Sequence, residues 1–344
     1  MNSLVKNKLL GLFVKTNGFF SKPLVGGKAH VFMLHRVLPE NLRIKYDYNR
    51  DLAITPEALE TFIQLLQKKG FQFISLDEFS EKLESKKWGK DKYICFTLDD
   101  GYRDNITFGL PIFEKHQVPF AIYVTNCFPN GNAHFWWYWL EEKVKNEEEI
   151  TFREKTYLIK SEEEKLSAYN TIREQIKNCS PIEREELTTN FFNKTKESIT
   201  KECEDLSLNW DELKTISNHS LITLGAHTSN HYSLAHLTGF EMQKEIEDGK
   251  IELEKQVGKK IEHFAYPYGS LDDANDREFN FIKSLGFKTA TLNHPGNVFS
   301  CSLSNRVLLP RYPLGNNTPL EKLEYYLNGI QHFSTNGWSK KPIE

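Results

Sequence analysis

Short apolar segments alternate with amphipathic segments along most of the chain, and this pattern is typical of a parallel α/β sheet. Continuous apolar runs of strand length predict strands that are buried on both faces. The runs that we assign to strands are residues 29–34, 71–74, 93–98, 120–124, 221–225, 261–266 and 288–291. The spacing leaves room for helices between successive strands, in a sheet that is either open or closed into a barrel.

The first long helix has clear boundary signals. Thr55 predicts an N-cap, Pro56 the first helical position and Glu57 an acidic first turn, and Gly70 predicts the end of the helix. A second helix is predicted to begin at Leu76.

The alternation stops between about residues 140 and 205, which are rich in Glu and Lys and poor in Gly and Pro. We interpret this stretch as a helical insertion. The predicted organisation is an N-terminal segment (residues 1–27), a single domain (28–330) that carries the insertion, and a tail (331–344). A chain of 344 residues could also form two smaller domains.

Charge and cysteine content exclude several classes of protein. The chain has 44 Lys and Arg against 47 Asp and Glu, a formal net charge of −3, so we expect no nucleic-acid partner. Its five cysteines contain no C-x-x-C pair. That spacing predicts free thiols in a reducing compartment, without a thiolate zinc site or a disulfide framework.

The N-terminus carries a short apolar run, residues 9–14, between Lys8 and Lys15. Six residues are fewer than a secretory signal needs (about 7–15), and far fewer than the roughly 20 of a membrane-spanning helix. We therefore expect a cytoplasmic protein. The segment is interpreted either as an amphipathic helix in peripheral contact with the inner face of the membrane, or as a helix packed on the domain.

Two adjacent carboxylates, Asp99 and Asp100, follow the buried strand 93–98. Active sites of parallel α/β sheets gather where strands end at their carboxyl edge. One carboxylate could bind a metal there while its neighbour meets substrate or water. The alternative is an ordinary helix N-cap.

Two histidines, His227 and His231, follow the strand 221–225 and belong to the same edge. At i and i+4 they share one face if the chain turns helical. With an aspartate they would complete an Asp-His-His set with an open position for water, which suits a catalytic divalent metal. The alternative is an accidental surface pair.

A third stretch, residues 264–269, ends another apolar strand. Pro267 and Gly269 predict a sharp turn that can aim a backbone N–H into the site, as an oxyanion hole requires. The alternative is a rigid aromatic turn without a chemical role.

Together these stretches resemble the polysaccharide deacetylase family, also called the NodB-homology or carbohydrate esterase family 4 domain. The resembling motifs are Thr-Leu-Asp-Asp-Gly at 97–101, His-Thr-Ser-Asn-His at 227–231 and Ala-Tyr-Pro-Tyr-Gly at 265–269. Residues 33–37 and 54–57 look like one branch of the family, and the resemblance covers about residues 28–315. It implies a deformed (β/α) barrel that hydrolyses an acetyl group from a sugar, usually an N-acetylated hexosamine.

By this resemblance Asp100, His227 and His231 hold a divalent metal, commonly zinc, and Asp99 is the general base. The tetrahedral oxyanion would lie between the metal and the backbone N–H of Tyr268. An acid must then protonate the leaving amine.

The sequence departs from the commonest family pattern at two positions. Many members carry an arginine where this chain has Ala265, and Arg311 is our candidate substitute. Many also supply the acid from a late Leu-x-His motif, which is absent after Gly269. His35 is the preferred candidate for the acid, and His294 is the alternative.

The sequence therefore predicts a metal-dependent deacetylase of an N-acetylated saccharide, with a nucleotide- or lipid-linked precursor of a surface polysaccharide favoured over a finished polymer. An O-acetyl esterase and a catalytically silent sugar-binding protein are the alternatives. Five consecutive aromatic residues, 135–139, cannot all face one core. They either contact substrate or attach the insertion, so Trp137 stays outside the candidate site.

Overall fold

The computed structural model describes residues 26–43, 48–337 and 339–340. Most of the predicted N-terminal segment lies outside this range, so its predicted membrane contact stays a prediction. Within the described part of the chain, no helix is both long and apolar enough to cross a bilayer. All five cysteines are free, and only Cys301 is exposed.

Twelve strands are found in the described residues. In chain order they are β1 (Ala29–Leu34), β2 (Arg36–Val37), β3 (Ala53–Ile54), β4 (Gln72–Phe73), β5 (Tyr93–Leu98), β6 (Phe120–Val124), β7 (Glu149–Phe152), β8 (Lys155–Leu158), β9 (Ile222–Ala226), β10 (His263–Ala265), β11 (Thr289–Thr291) and β12 (Tyr312–Pro313).

Thirteen α-helices accompany these strands in the same residues. They are α1 (Glu40–Arg43), α2 (Pro56–Lys68), α3 (Leu76–Ser85), α4 (Leu110–His116), α5 (Trp136–Asn146), α6 (Glu162–Lys177), α7 (Pro181–Asn190), α8 (Lys196–Leu206), α9 (Trp210–Ile216), α10 (Gly239–Val257), α11 (Asp276–Ser284), α12 (Leu320–Leu327) and α13 (Ile330–Asn336).

The main sheet is entirely parallel, which confirms the architecture predicted from the apolar runs. Its strands follow the order β11-β10-β9-β6-β5-β1-β12, and β4 also pairs with β5. The segment 309–313 connects the two edges of this curled sheet. Leu309 forms a parallel bridge with Thr291 just past one edge, and Tyr312 pairs with Phe32 of β1 at the other.

Side chains of each strand alternate between two apolar clusters, because successive residues of a strand point to opposite faces. On β5, Phe96 and Leu98 pack outward against helices such as α2. Cys95 packs inward with Tyr123 of β6 and with Phe79 of α3. Both faces are covered, so the runs are continuously apolar.

The start of α2 follows the boundary signals in the sequence. The Thr55 hydroxyl accepts the backbone N–H of Ala58 at 3.2 Å, and Pro56 is the first helical residue. The helix ends at Lys68, just before Gly70, whose φ of 78° few other residues tolerate.

Residues 136–206 lie between β6 and β9, and we call them the inserted region. They form four helices, α5 to α8, and pack around a core of their own. This core buries Trp136 and Trp139 of the aromatic run, while Tyr138 stays partly exposed. The run therefore attaches the inserted region to the barrel.

The hairpin β7–β8 inside this region was not predicted. Its sequence signal is weak because the turn places Arg153, not glycine, at a positive φ of 55°. Helix α13 also differs from the expected tail, since Ile330 and His332 are buried and the ring of His332 accepts the backbone N–H of Asn297.

We expect Gly225→Ala to destabilise the protein. A Cβ atom at Gly225 would lie 2.5 Å from Cδ1 of Tyr123 and 3.1 Å from the carbonyl oxygen of His263. Overpacking of this kind costs about 1–3 kcal/mol. Urea unfolding should report the loss, and Gly239→Ala is the matched control, because nothing lies within 4 Å of its new Cβ. Equal stability of the Gly225→Ala and wild-type proteins would contradict the expectation.

Candidate active site

Most of the candidate residues line a cleft of about 430 Å³ at the carboxyl edge of the sheet. His35, Asp99 and His227 directly follow the ends of β1, β5 and β9. Asp100, Tyr268 and His231 lie two, three and five residues past the ends of β5, β10 and β9. The lining includes His35, Asp99, Asp100, His227, His231 and Tyr268. The structure thus brings together side chains that are up to 233 positions apart in sequence, from His35 to Tyr268.

Asp100, His227 and His231 form a compact group. The Oδ1 atom of Asp100 lies 3.4 Å from Nε2 of His227 and 3.3 Å from Nε2 of His231. Ligand atoms about 2.0–2.1 Å from one tetrahedral ion are separated from each other by roughly 3.3–3.4 Å. The Oδ1 atom is buried without a hydrogen-bond partner among the described residues. The group therefore fits a divalent metal.

The ring of His227 is oriented by its second nitrogen. Its Nδ1–H donates to the carbonyl oxygen of Ala265 at 2.8 Å, and this bond fixes the ring with Nε2 directed at Asp100. Ala265, where the family resemblance led us to expect an arginine, contributes its backbone carbonyl to this bond.

The segment that carries both histidines is a loop, and not the helix in which their i, i+4 spacing would place them on one face. Thr228 and His231 have positive φ values of 68° and 56°, which an α-helix does not contain. The Thr228 hydroxyl accepts the backbone N–H of His231 at 3.1 Å, and the Glu245 carboxylate accepts that of Asn230 at 2.8 Å. These bonds fold the loop back, and the two rings converge for that reason.

Asp99 is paired with Arg311 in the interior. The guanidinium donates to both carboxylate oxygens, at 2.6 and 2.7 Å, and also to the Thr97 hydroxyl at 3.1 Å. Burial raises the pKa of Asp99, but the charge and hydrogen bonds of Arg311, together with the nearby His227 and His35, outweigh burial and hold the pKa below its ordinary value. The carboxylate is thus ionised at neutral pH. Neither aspartate acts as a helix N-cap, since the next helical turn begins only at Asn105.

The two histidines considered for the acid lie in different places. His35 lines the cleft, and its backbone carbonyl accepts the side-chain N–H of Asn105 at 2.7 Å. His294 is absent from the cleft lining, and its Nε2 atom is 2.8 Å from Oδ1 of Asn336 on α13.

The turn after β10 presents Tyr268 to the cleft. Tyr268 has a φ of 60°, and the N–H of Gly269 donates to the carbonyl of Pro267 at 2.6 Å. A Cβ at Gly269 would come within 2.6 Å of the backbone nitrogen of Asn293, so the tight turn requires glycine. The backbone N–H of Tyr268 makes no hydrogen bond to any described residue.

The inserted region supplies part of the cleft wall. None of its residues was among the site residues predicted from the sequence. Trp136 and Trp137 line the cleft, as do Arg173, Glu174 and Lys177 of α6. The aromatic run was the only signal for this wall. The sequence gives no signal for the charged residues, because charged residues are also common on solvent-exposed faces of helices.

A family model described as "Polysaccharide deacetylase" matches residues 86–290, about three fifths of the chain. The matched range contains Asp99, Asp100, His227, His231 and Tyr268, but neither His35 nor Arg311. No curated protein matches the sequence.

Solved structures of deacetylases share the fold. The deacetylase PplD of Streptococcus pyogenes, in complex with acetate, has a TM-score of 0.56 at 15% identity and aligns over 88% of this chain and 97% of its own. IcaB of Ammonifex degensii has a TM-score of 0.54 at 15% identity, with the same coverages of 88% and 97%. A de-N-acetylase of Aggregatibacter actinomycetemcomitans has a TM-score of 0.55 at 13% identity, over 87% and 99%. These similarities confirm the deformed (β/α) barrel.

Arg311→Met should strongly destabilise the protein, because it leaves the Asp99 carboxylate buried without a partner. Removing one member of a buried ion pair costs about 3–5 kcal/mol. Urea unfolding of the metal-free protein measures the loss. The control is the double variant Asp99→Asn/Arg311→Met, which removes the charge as well and should recover part of the stability. A double variant less stable than Arg311→Met would show that the charge is not the cause.

Proposed function

Because the chain belongs to the polysaccharide deacetylase family, we propose that it is a metal-dependent hydrolase that removes the acetyl group from an N-acetylated sugar. The sugar would belong to a polysaccharide or to its nucleotide- or lipid-linked precursor. The observation that carries the proposal is the convergence of Asp100, His227 and His231 beside the Asp99–Arg311 pair. One structural neighbour is itself described as a de-N-acetylase.

Asp100, His227 and His231 would hold the metal. One carboxylate and two imidazoles suit zinc, and three protein ligands leave a position open for water. When bound, zinc lowers the pKa of its water and polarises the acetyl carbonyl.

Asp99 is the proposed general base. It lines the cleft next to Asp100, and Arg311 keeps it ionised, so its carboxylate can accept the proton of the attacking water. Arg311 occupies one acceptor direction on each carboxylate oxygen and leaves others available. It therefore orients the base without blocking it.

The charge that develops on the acetyl oxygen needs a donor. The backbone N–H of Tyr268 has no partner among the described residues and Tyr268 lines the cleft, so this N–H is the proposed oxyanion donor. His35 then protonates the leaving amine, which cannot depart as an anion.

The aromatic wall supports a saccharide substrate. Trp136 and Trp137 border the cleft, and indole faces pack well against the apolar faces of sugar rings. The charged residues of α6 on the same lining can hydrogen-bond to sugar hydroxyls.

We expect Asp99→Asn to lower the rate of acetate release from N-acetylated hexosamine oligosaccharides by about 10²- to 10⁴-fold, the usual contribution of a positioned base. Acetate is measured with zinc-loaded protein. Asp248→Asn, at an exposed position of α10, is the control and should keep the wild-type rate. Equal rates for Asp99→Asn and wild type would reject Asp99 as the base. Saccharide binding without turnover in any zinc-loaded form would favour the silent sugar-binding protein.

We expect His35→Ala to reduce amide hydrolysis by about 10²- to 10⁴-fold, while His294→Ala keeps nearly the wild-type rate. The reason is location, since His35 lines the cleft and His294 contacts α13. Comparing N-acetylated with O-acetylated saccharides separates the two reactions, because an ester leaving group needs less help from an acid. If His35→Ala hydrolysed both substrates at the wild-type rate, His35 would be rejected as the acid.

A further inference from the structure

The two histidines of the candidate metal site are held differently. Nδ1 of His227 donates to the carbonyl of Ala265, whereas Nδ1 of His231 is buried with no hydrogen-bond partner among the described residues. Histidines that bind metals almost always have such a partner, which fixes the orientation of the ring. The position of His231 must therefore be maintained by other contacts.

Arg184, on α7 of the inserted region, contacts the backbone of His231 directly. Arg184 is almost completely buried, with 3% exposure, and one guanidinium nitrogen donates to the carbonyl oxygen of His231 at 3.3 Å. The other terminal nitrogen donates to the carbonyls of Ile176 and Lys177 at the end of α6, at 3.4 and 3.1 Å. A single buried cation thus joins two helices of the inserted region to the metal-ligand loop.

Aromatic rings complete this environment. The Arg184 guanidinium lies 4.3 Å from the centre of the Tyr232 ring, next to His231 in sequence. Arg184 forms no ion pair with any described residue, so its buried charge depends on carbonyl oxygens and ring faces. The His231 ring itself packs between Trp137 and Tyr268, with ring centres 5.8 and 4.8 Å away.

A second cation of the inserted region supports the same loop. Lys177, the last residue of α6, lies 3.1 Å from the Oδ1 atom of Asp273. That oxygen also accepts the hydroxyl of Ser233 at 2.8 Å, two residues after His231. Contacts from the inserted region therefore reach the loop at His231 and just after it.

We propose that the inserted region holds the metal ligand His231 in position, with Arg184 as the positioning residue. Its contacts take the place of the missing hydrogen bond at Nδ1 of His231. The inference rests on the proposed function, because it requires His231 to bind the metal. The competing explanation is a purely structural role, in which Arg184 only satisfies the backbone carbonyls at the C-terminal end of α6.

The test compares metal binding with stability in the full chain. We expect Arg184→Gln to weaken zinc binding by about 10- to 100-fold, as measured for partners that orient metal ligands. The zinc Kd of the metal-free protein is measured by competition with a chromophoric chelator, and the Tm of the metal-free protein is recorded beside it. In the Co²⁺-loaded protein, the visible absorption spectrum should also change, because the geometry at His231 changes.

Arg153→Gln is the matched control. Arg153 belongs to the same inserted region, but it is half-exposed and contacts Glu183 at 3.4 Å, away from the loop. We expect its zinc Kd and its Co²⁺ spectrum to equal those of the wild type.

A wild-type zinc Kd and Co²⁺ spectrum in Arg184→Gln, whatever its Tm, would overturn the inference and support the structural role. If Arg184→Gln does not fold, the same measurements are made on Lys177→Met. We expect this variant to bind zinc more weakly than the wild type, and a wild-type zinc Kd would contradict the inference. Failure of the wild-type protein to bind zinc would instead reject the proposed function.

Discussion

The buried pair of Asp99 and Arg311 connects the fold to the chemistry. Arg311 belongs to the segment 309–313 that joins the two edges of the curled sheet, and Asp99 follows a central strand, β5. Burying two charges costs several kcal/mol per ion, which only good geometry and extra hydrogen bonds offset. Here both carboxylate oxygens and the Thr97 hydroxyl accept from one guanidinium. The pair therefore holds an ionised carboxylate inside the cleft and fixes the last segment of the barrel against the centre of the sheet.

Backbone strain is concentrated around this pair. Asp100, Thr228, His231 and Tyr268 all have positive φ values, which cost about 1–3 kcal/mol each for residues other than glycine. Thr228 is β-branched, so its conformation is especially unfavourable. Such conformations persist only where surrounding contacts enforce them, and the bonds from Glu245 to the loop are of that kind. All four of these residues line the same cleft or adjoin a residue that does.

The inserted region completes the cleft from outside the barrel. It has its own apolar core, yet the residues with which it lines the cleft are aromatic or charged. Trp137 packs against the His231 ring, and Arg184 bonds to the His231 backbone. An insertion that packed only around its own core would need neither contact. These contacts attach the inserted region to the loop that carries His231.

The sequence by itself determined the parallel α/β architecture, the start of α2 at Thr55 and Pro56, the end of β5 at Leu98 and, to within one residue, the ends of β9 and β10. These features depend on local periodicity, capping chemistry and the rule that active sites lie at the carboxyl edge of a parallel sheet.

Only the tertiary structure decided which distant residues meet. Arg311 reaches Asp99 across 212 positions of chain, His35 enters the cleft while His294 is bonded to α13, and Arg184 contacts the carbonyl of His231. It also showed that the two histidines converge through a strained loop, where their spacing alone indicated a helix. The physical reason is that a sequence pattern encodes what each segment prefers locally, whereas contacts between remote side chains are selected by packing of the whole chain.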